Sequence, residues 1–163
     1  MEKTNSQFQR LFLIQTLPEP LTPASSHIQI FDNYIPETRL RLRKIRDPYS
    51  KSWTHSLQRS GSDELHLDPK EYAVFERFEG REIRKNRYFH DFDRVMFTFD
   101  VYLGPLWGLS TAGATFESTE APPPFAIIEV TGNEFFDGRN LVEKTIDDVK
   151  RNLPEGSEPD SLH

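Results

Sequence analysis

REIRKNRY, residues 81–88, is the stretch on which the fold turns. A strand points successive side chains to opposite faces, so Ile83, Lys85 and Arg87 share one face and Arg84, Asn86 and Tyr88 the other. Both faces carry charge. A sandwich with a dry interior cannot hold such a strand, because a buried charge needs a partner or water. A sheet curled around a polar, water-filled lumen, with helices packed outside, can.

Strand-like alternation recurs on either side of this stretch. TRLRLRKI (38–45) sets Leu40, Leu42 and Lys44 against Arg39, Arg41, Arg43 and Ile45. QFQRLFL (7–13) sets Phe8, Arg10 and Phe12 against Gln7, Gln9, Leu11 and Leu13. HIQIFDNYI (27–35) reads as a strand with Asp32 and Asn33 as turn residues near its end. SWTHSLQR (52–59) follows the turn signal DPYSK and forms a hairpin with TRLRLRKI. REIRKNRYFHDF (81–92) and DRVMFTFDVYLG (93–104) flank a turn at HDFD, and LSTAGATFES (109–118) and IIEVTGNEFF (127–136) complete the series. Two segments change period. DPKEYAVFERF (68–78) reads as a helix capped by Asp68, with Pro69 in its first turn and a stop at Gly80. DGRNLVEKTIDDVKRNL (137–153) reads as a second, continuous helix.

Composition bounds the rest. A chain of 163 residues fits one domain, here 1–153, followed by a polar, Pro-rich tail at 154–163 that is expected to be disordered. The formal net charge of −6 argues against a nucleic-acid partner. Without cysteine there is no disulfide and no thiolate metal site. No apolar run is long enough to span a bilayer, so no membrane association and a cytoplasmic location are expected. Thirteen Phe against two Met point to an aromatic core built on strands.

The order of four motifs resembles the CYTH superfamily, the triphosphate tunnel metalloenzymes, which include class IV adenylate cyclases, thiamine triphosphatases and inorganic triphosphatases. LRLRKI is similar to the family's basic third strand, and IRKNRY to its K-x-R-Y stretch. FTFDVYLGPLWGL resembles a strand and turn ending in Gly-Leu, and IIEVTGN the segment that usually reads EVT before an acid. The resemblance covers nearly the whole chain. It implies an α+β fold: an eight-stranded antiparallel β-barrel, or tunnel, with a polar lumen and flanking helices. It also implies that a triphosphate and Mg2+ or Mn2+ occupy that lumen, and a homodimer, as family members often form.

The departures from the pattern carry the functional expectation. Where the family opens with E-x-E-x-K, this chain has Gln7, Gln9 and Leu11. Where a later strand supplies two more metal-binding acids, it has Gly113 and Thr115, and Gln58 takes the place of a fourth-strand lysine. The basic positions persist: Arg41, Arg43, Lys85 and Arg87, with Glu64 and Asp100 among them. Mg2+ and Mn2+ require hard oxygen ligands, usually carboxylates. Each opposite-charge contact is worth roughly 4 kcal/mol at an effective dielectric of ~20, so losing four acids should weaken metal binding by orders of magnitude. The expectation is a tunnel that holds a phosphorylated small molecule or nucleotide without a cofactor and without hydrolysing it. The alternative is a metal-dependent triphosphatase or cyclase whose rearranged acidic set includes Glu117 and Glu129, joined by Glu64 and Asp100. His55, His66 and His90 are scattered rather than clustered, and read as structural.

Overall fold

A computed structural model describes residues 7–117 and 121–153. The tail expected at 154–163 lies outside the described residues. Nine strands form one antiparallel sheet: β1 (Phe8–Ile14), β2 (His27–Tyr34), β3 (Leu40–Asp47), β4 (Ser52–Arg59), β5 (Leu65–Leu67), β6 (Arg81–Phe92), β7 (Val95–Tyr102), β8 (Ser110–Phe116) and β9 (Ala126–Glu129). Their spatial order is β5-β4-β3-β2-β6-β7-β8-β1-β9. Helices α1 (Pro69–Phe75), α2 (Gly138–Leu141) and α3 (Ile146–Arg151) complete an α+β fold. None of these helices is long and apolar enough to cross a membrane.

The expected eight-stranded closed barrel is corrected in two respects. The sheet has nine strands, and among the described residues no ladder joins β5 to β9. These edge strands are only three and four residues long, so each offers few backbone groups for a closing ladder.

Local chemistry accounts for the other differences. The hairpin between β6 and β7 turns on Asp93 and Arg94, both left-handed (φ 49° and 65°), so β6 runs on through the expected HDFD turn to Phe92. A two-residue loop with both residues at positive φ matches the twist of the paired strands. Helix α1 starts as expected at Asp68, which forms a capping box with Glu71, but ends at Phe75 with Glu76 as its C-cap. Phe78 is exposed, so burial does not extend the stripe that far. Gly80 serves a close approach instead: a Cβ there would collide with Asn33 Oδ1 and the Tyr34 carbonyl. The single helix expected over 137–153 is broken because Thr145 and Asp148 form a second capping box, which starts α3 afresh.

Register assigns the two faces of the sheet. The pairs Asp32↔Arg43, Arg41↔Gln58, Lys85↔Tyr102, Arg87↔Asp100 and Thr98↔Gly113 all lie on one face, called here the polar face. The opposite face carries an aromatic core of Phe12, Tyr88, Phe97, Phe99 and Phe116, joined by Phe125 and Leu21 from the connecting segments. A second core fills one end of the polar face. There Leu13, Ile83 and Tyr102 pack against Leu106, Leu109, Val130, Phe136, Leu141 and Val149. Helices α2 and α3 therefore cover part of the polar face rather than lying outside it. Leu141 and Val149 are fully buried, each worth about 1.5–3 kcal/mol. Helix α1 is the outer one, where Tyr72 stacks on His55 of the opposite face at 4.2 Å.

Candidate functional site

The polar face gathers Arg41 and Arg43 from β3 and Lys85 and Arg87 from β6, with β2 between them. Alternation puts each pair on one side of its strand. The two pairs meet because β2 joins both strands in antiparallel register.

Each of these four cations is held by a carboxylate. Arg43 donates to both oxygens of Asp32, at 2.6 and 2.8 Å. Arg87 grips Asp100 in the same bidentate way, at 2.7 and 2.9 Å, and Lys85 Nζ approaches Asp100 Oδ2 at 3.1 Å. Arg41 Nη2 donates to Glu64 at 3.2 Å, and Ser56 Oγ donates to the same oxygen at 2.6 Å. Arg41 Nε is buried without a hydrogen-bond acceptor; its nearest acid oxygen is Asp32 Oδ1 at 3.9 Å. Four cations thus face three carboxylates.

Burial and charge pull these groups in opposite directions. Burial raises the pKa of Asp100, but the Lys85 ammonium and the Arg87 guanidinium outweigh it and hold the carboxyl at about 2. Burial disfavours the charged form of Lys85, yet Tyr102, Asp100 and Asp32 more than restore it, and its pKa is raised. For Arg43, burial again opposes the charge, and the hydrogen bonds and charge of Asp32 prevail and raise its pKa. The Ser56 hydroxyl, with Arg43 and Arg41, lowers Glu64 despite partial desolvation. Burial, reinforced by Asp32, pushes the Tyr34 phenol up to about 12. All of these groups keep their ordinary charge at neutral pH.

Beside the ion pairs lies a cavity of about 420 Å³, lined by Arg87, Asp100, Thr98 and Thr111 on one side and by Gln9, Leu11, Gly113 and Thr115 on the other. On the second wall Gln9, Gly113 and Thr115 stand where the resemblance expects metal-binding acids, and Leu11 where it expects a lysine. Gln9 and Thr115 are cross-strand partners there, as are Leu11 and Gly113. Gly113 is not forced by crowding, since a Cβ would meet Thr98 Oγ1 at 3.5 Å and Leu11 at 3.7 Å, ordinary contact distances. Gln7 is exposed just before β1.

A divalent cation of the kind the resemblance implies does not fit this wall. None of Gln9, Leu11, Gly113 and Thr115 carries a charge, and Asp100 is already engaged by two cations. Among the described residues no three His, Asp or Glu side chains come together as a metal cluster. Glu129 shares the opposite face with Phe12 and Arg10. It accepts two hydrogen bonds from Arg10, at 2.9 and 2.7 Å, and one from Thr131, and these hold it at about 2. Glu117 follows the end of β8 and is exposed. His66 pairs with Ser56 on the polar face while His55 lies on the other face.

Sequence reasoning missed Asp32, the most buried acid of the site at 1 % exposure. Taking it as a turn residue hid the signal. Alternation through HIQIFDNY puts Asp32 with Ile30 and Tyr34, on the face of the arginines. Gln58 does lie on the polar face beside Arg41, but its amide donates to the Ser62 carbonyl.

No protein-family model matches the chain, and no curated protein matches its sequence. Solved structures resemble it in three dimensions, two crystal structures among them. That of the inorganic triphosphatase NE1496 has a TM-score of 0.60 and 22% identity, covering 84% of this chain and 94% of that one. That of the hypothetical protein NE1496 has a TM-score of 0.61 and 22% identity, covering 86% and 99%. The nine-stranded antiparallel sheet with its charged face is, in fold, like that of an inorganic triphosphatase.

Proposed function

We propose that this protein, a divergent CYTH-like chain, binds a phosphorylated anion on the polar face without metal and without hydrolysing it. One observation carries this reading: the ion-paired cluster of Arg41, Arg43, Lys85 and Arg87 reaches, through Arg87, a cavity also lined by the uncharged Gln9, Leu11, Gly113 and Thr115. Guanidinium groups bind phosphate oxygens through charge-assisted, often bidentate bonds. The four cations exceed the three acids by one charge, and the acids hold the guanidinium groups in fixed orientations. Arg41 Nε, in the ion-pair cluster but outside that cavity, is a buried donor without a hydrogen-bond acceptor. Hydrolysis in such a site would need metal to neutralise the transferring group and orient water, and Gln9, Leu11, Gly113 and Thr115 supply no carboxylate for it. The similar fold of an inorganic triphosphatase supports triphosphate or polyphosphate, alone or in a nucleotide, as the class of ligand. The tunnel arrangement, if completed, would come from the C-terminal segment spanning the polar face, where Arg139 donates to the Thr38 carbonyl.

Isothermal titration with tripolyphosphate and ATP, in EDTA and in Mg2+, tests the reading. Expected are affinity that survives EDTA, a loss of about tenfold or more in Arg43→Ala, and no phosphate release. Strictly metal-dependent affinity, or turnover, refutes it and favours the enzyme with a rearranged acidic set. A second reading has a specific observation behind it: Asp32, Glu64 and Asp100 already neutralise most of the cations, as in a polar spine that holds a scaffold together. In that case neither anion binds, and Arg43→Ala changes stability alone.

A further inference from the structure

On the opposite face, between the β6–β7 hairpin and two proline-bearing connecting segments, lies a second cavity of about 440 Å³. Phe92, Phe97, Phe116 and Phe125 line it, with the exposed acids Glu19 and Asp93 among its lining residues. The ring pairs are steep: 77° for Phe92–Phe97, 59° for Phe92–Phe125, 83° for Phe97–Phe125 and 74° for Phe97–Phe116. Phe97 and Phe116 are buried, whereas Phe92 and Phe125 are half-buried, so part of each of these two rings is open at the cavity. Glu19 and Asp93 differ from the acids of the polar face. Asp32, Glu64 and Asp100 are each engaged by a cation, whereas neither Glu19 nor Asp93 forms an ion pair among the described residues. Arg94 follows Asp93 but does not line the cavity.

The geometry points to a binding site for a quaternary ammonium or a similarly diffuse organic cation. Aromatic faces attract a soft cation, and an apolar pocket tolerates it because its hydration is weak. The two carboxylates supply the counter-charge, and the volume lies in the range of small-molecule sites. A compact ammonium would stay hydrated beside the carboxylates, and a neutral apolar ligand would leave both of them unused. This site lies on the other side of the sheet from the anion site and shares no residue with it.

Choline and its neutral carbon isostere, 3,3-dimethylbutan-1-ol, separate charge from shape. Titration of each into the full-length, 15N-labelled protein, followed through the backbone amides of Phe92, Asp93 and Phe125, reads binding at this site alone. Choline is expected to bind at about millimolar concentration and the neutral isostere about tenfold more weakly, since the two differ in the cation–π and carboxylate attraction. Glu19→Gln with Asp93→Asn, both at exposed positions, should weaken choline about fivefold while leaving the fold and any tripolyphosphate binding intact. Equal binding of choline and the alcohol, an unchanged affinity in the double variant, or no binding of choline overturns the proposal.

Discussion

Replacing Asp100 by Asn removes the central anion of the polar face. Asp100 is 9 % exposed and lies within hydrogen-bond distance of both Lys85 and Arg87. Its pKa is held at about 2, against about 4 for an unperturbed Asp; at about 1.4 kcal/mol per pH unit this is on the order of 3 kcal/mol of stability. The substitution also leaves two largely buried cations without their counter-ion, and breaking such a pair costs about 3–5 kcal/mol. Asn keeps one acceptor oxygen, so a loss of about 3 kcal/mol is expected, a large part of the 5–15 kcal/mol typical of a domain. With a slope of about 2 kcal/mol per molar, the urea midpoint at pH 7 should fall by about 1.5 M. The pH dependence separates charge from packing. A depressed carboxyl stabilises the folded state above its unfolded pKa, and that contribution fades as pH falls from about 4 through about 2. The gap between the wild type and Asp100→Asn should therefore narrow over that interval. A loss below about 1 kcal/mol, or a gap unchanged at pH 2.5, would refute the view that Asp100 acts through its charge.

Other outcomes follow from the same geometry. Gln9→Glu with Thr115→Glu places two carboxylates on cross-strand partners at the cavity wall, and Mn2+ affinity by calorimetry should rise at least about tenfold over wild type; no gain would mean that missing charge is not what keeps metal out. Gly138→Ala should cost about 1–3 kcal/mol in thermal or urea unfolding, because a Cβ there collides with the Tyr34 hydroxyl, and Tyr34→Phe in the same background should recover part of the loss. Thr145→Ala, which removes the cap that starts α3, should cost about 1 kcal/mol and loosen the packing of Val149, read as faster hydrogen exchange at 146–151.

Parity made much of the site legible. REIRKNRY and TRLRLRKI each show which side chains share a face, and Arg41, Arg43, Lys85 and Arg87 lie on the sides that alternation assigns. The neutral wall was legible as well, because Gln9, Gly113 and Thr115 are read from alternation in the same way. Asp32 was obscured by its turn-like neighbour Asn33, although the pattern around it is an ordinary strand. The break at Thr145 was masked by helical periodicity on both sides of it, even though its capping partner Asp148 is three residues away.

The sequence by itself determined which residues stand on which face, because the two-residue period of a strand is a local property of the backbone. It also determined that Gln9, Leu11, Gly113 and Thr115 bring no carboxylate, since no fold can give these residues one. Only the tertiary structure decided that Asp32, Glu64 and Asp100 hold the arginines and the lysine, and that α2 and α3 cover the polar face. Partner choice depends on which strands become neighbours. Strand order β3-β2-β6-β7 brings together residues far apart in the chain, and the burial of Leu141 and Val149, not any local propensity, draws the C-terminal helices onto that face.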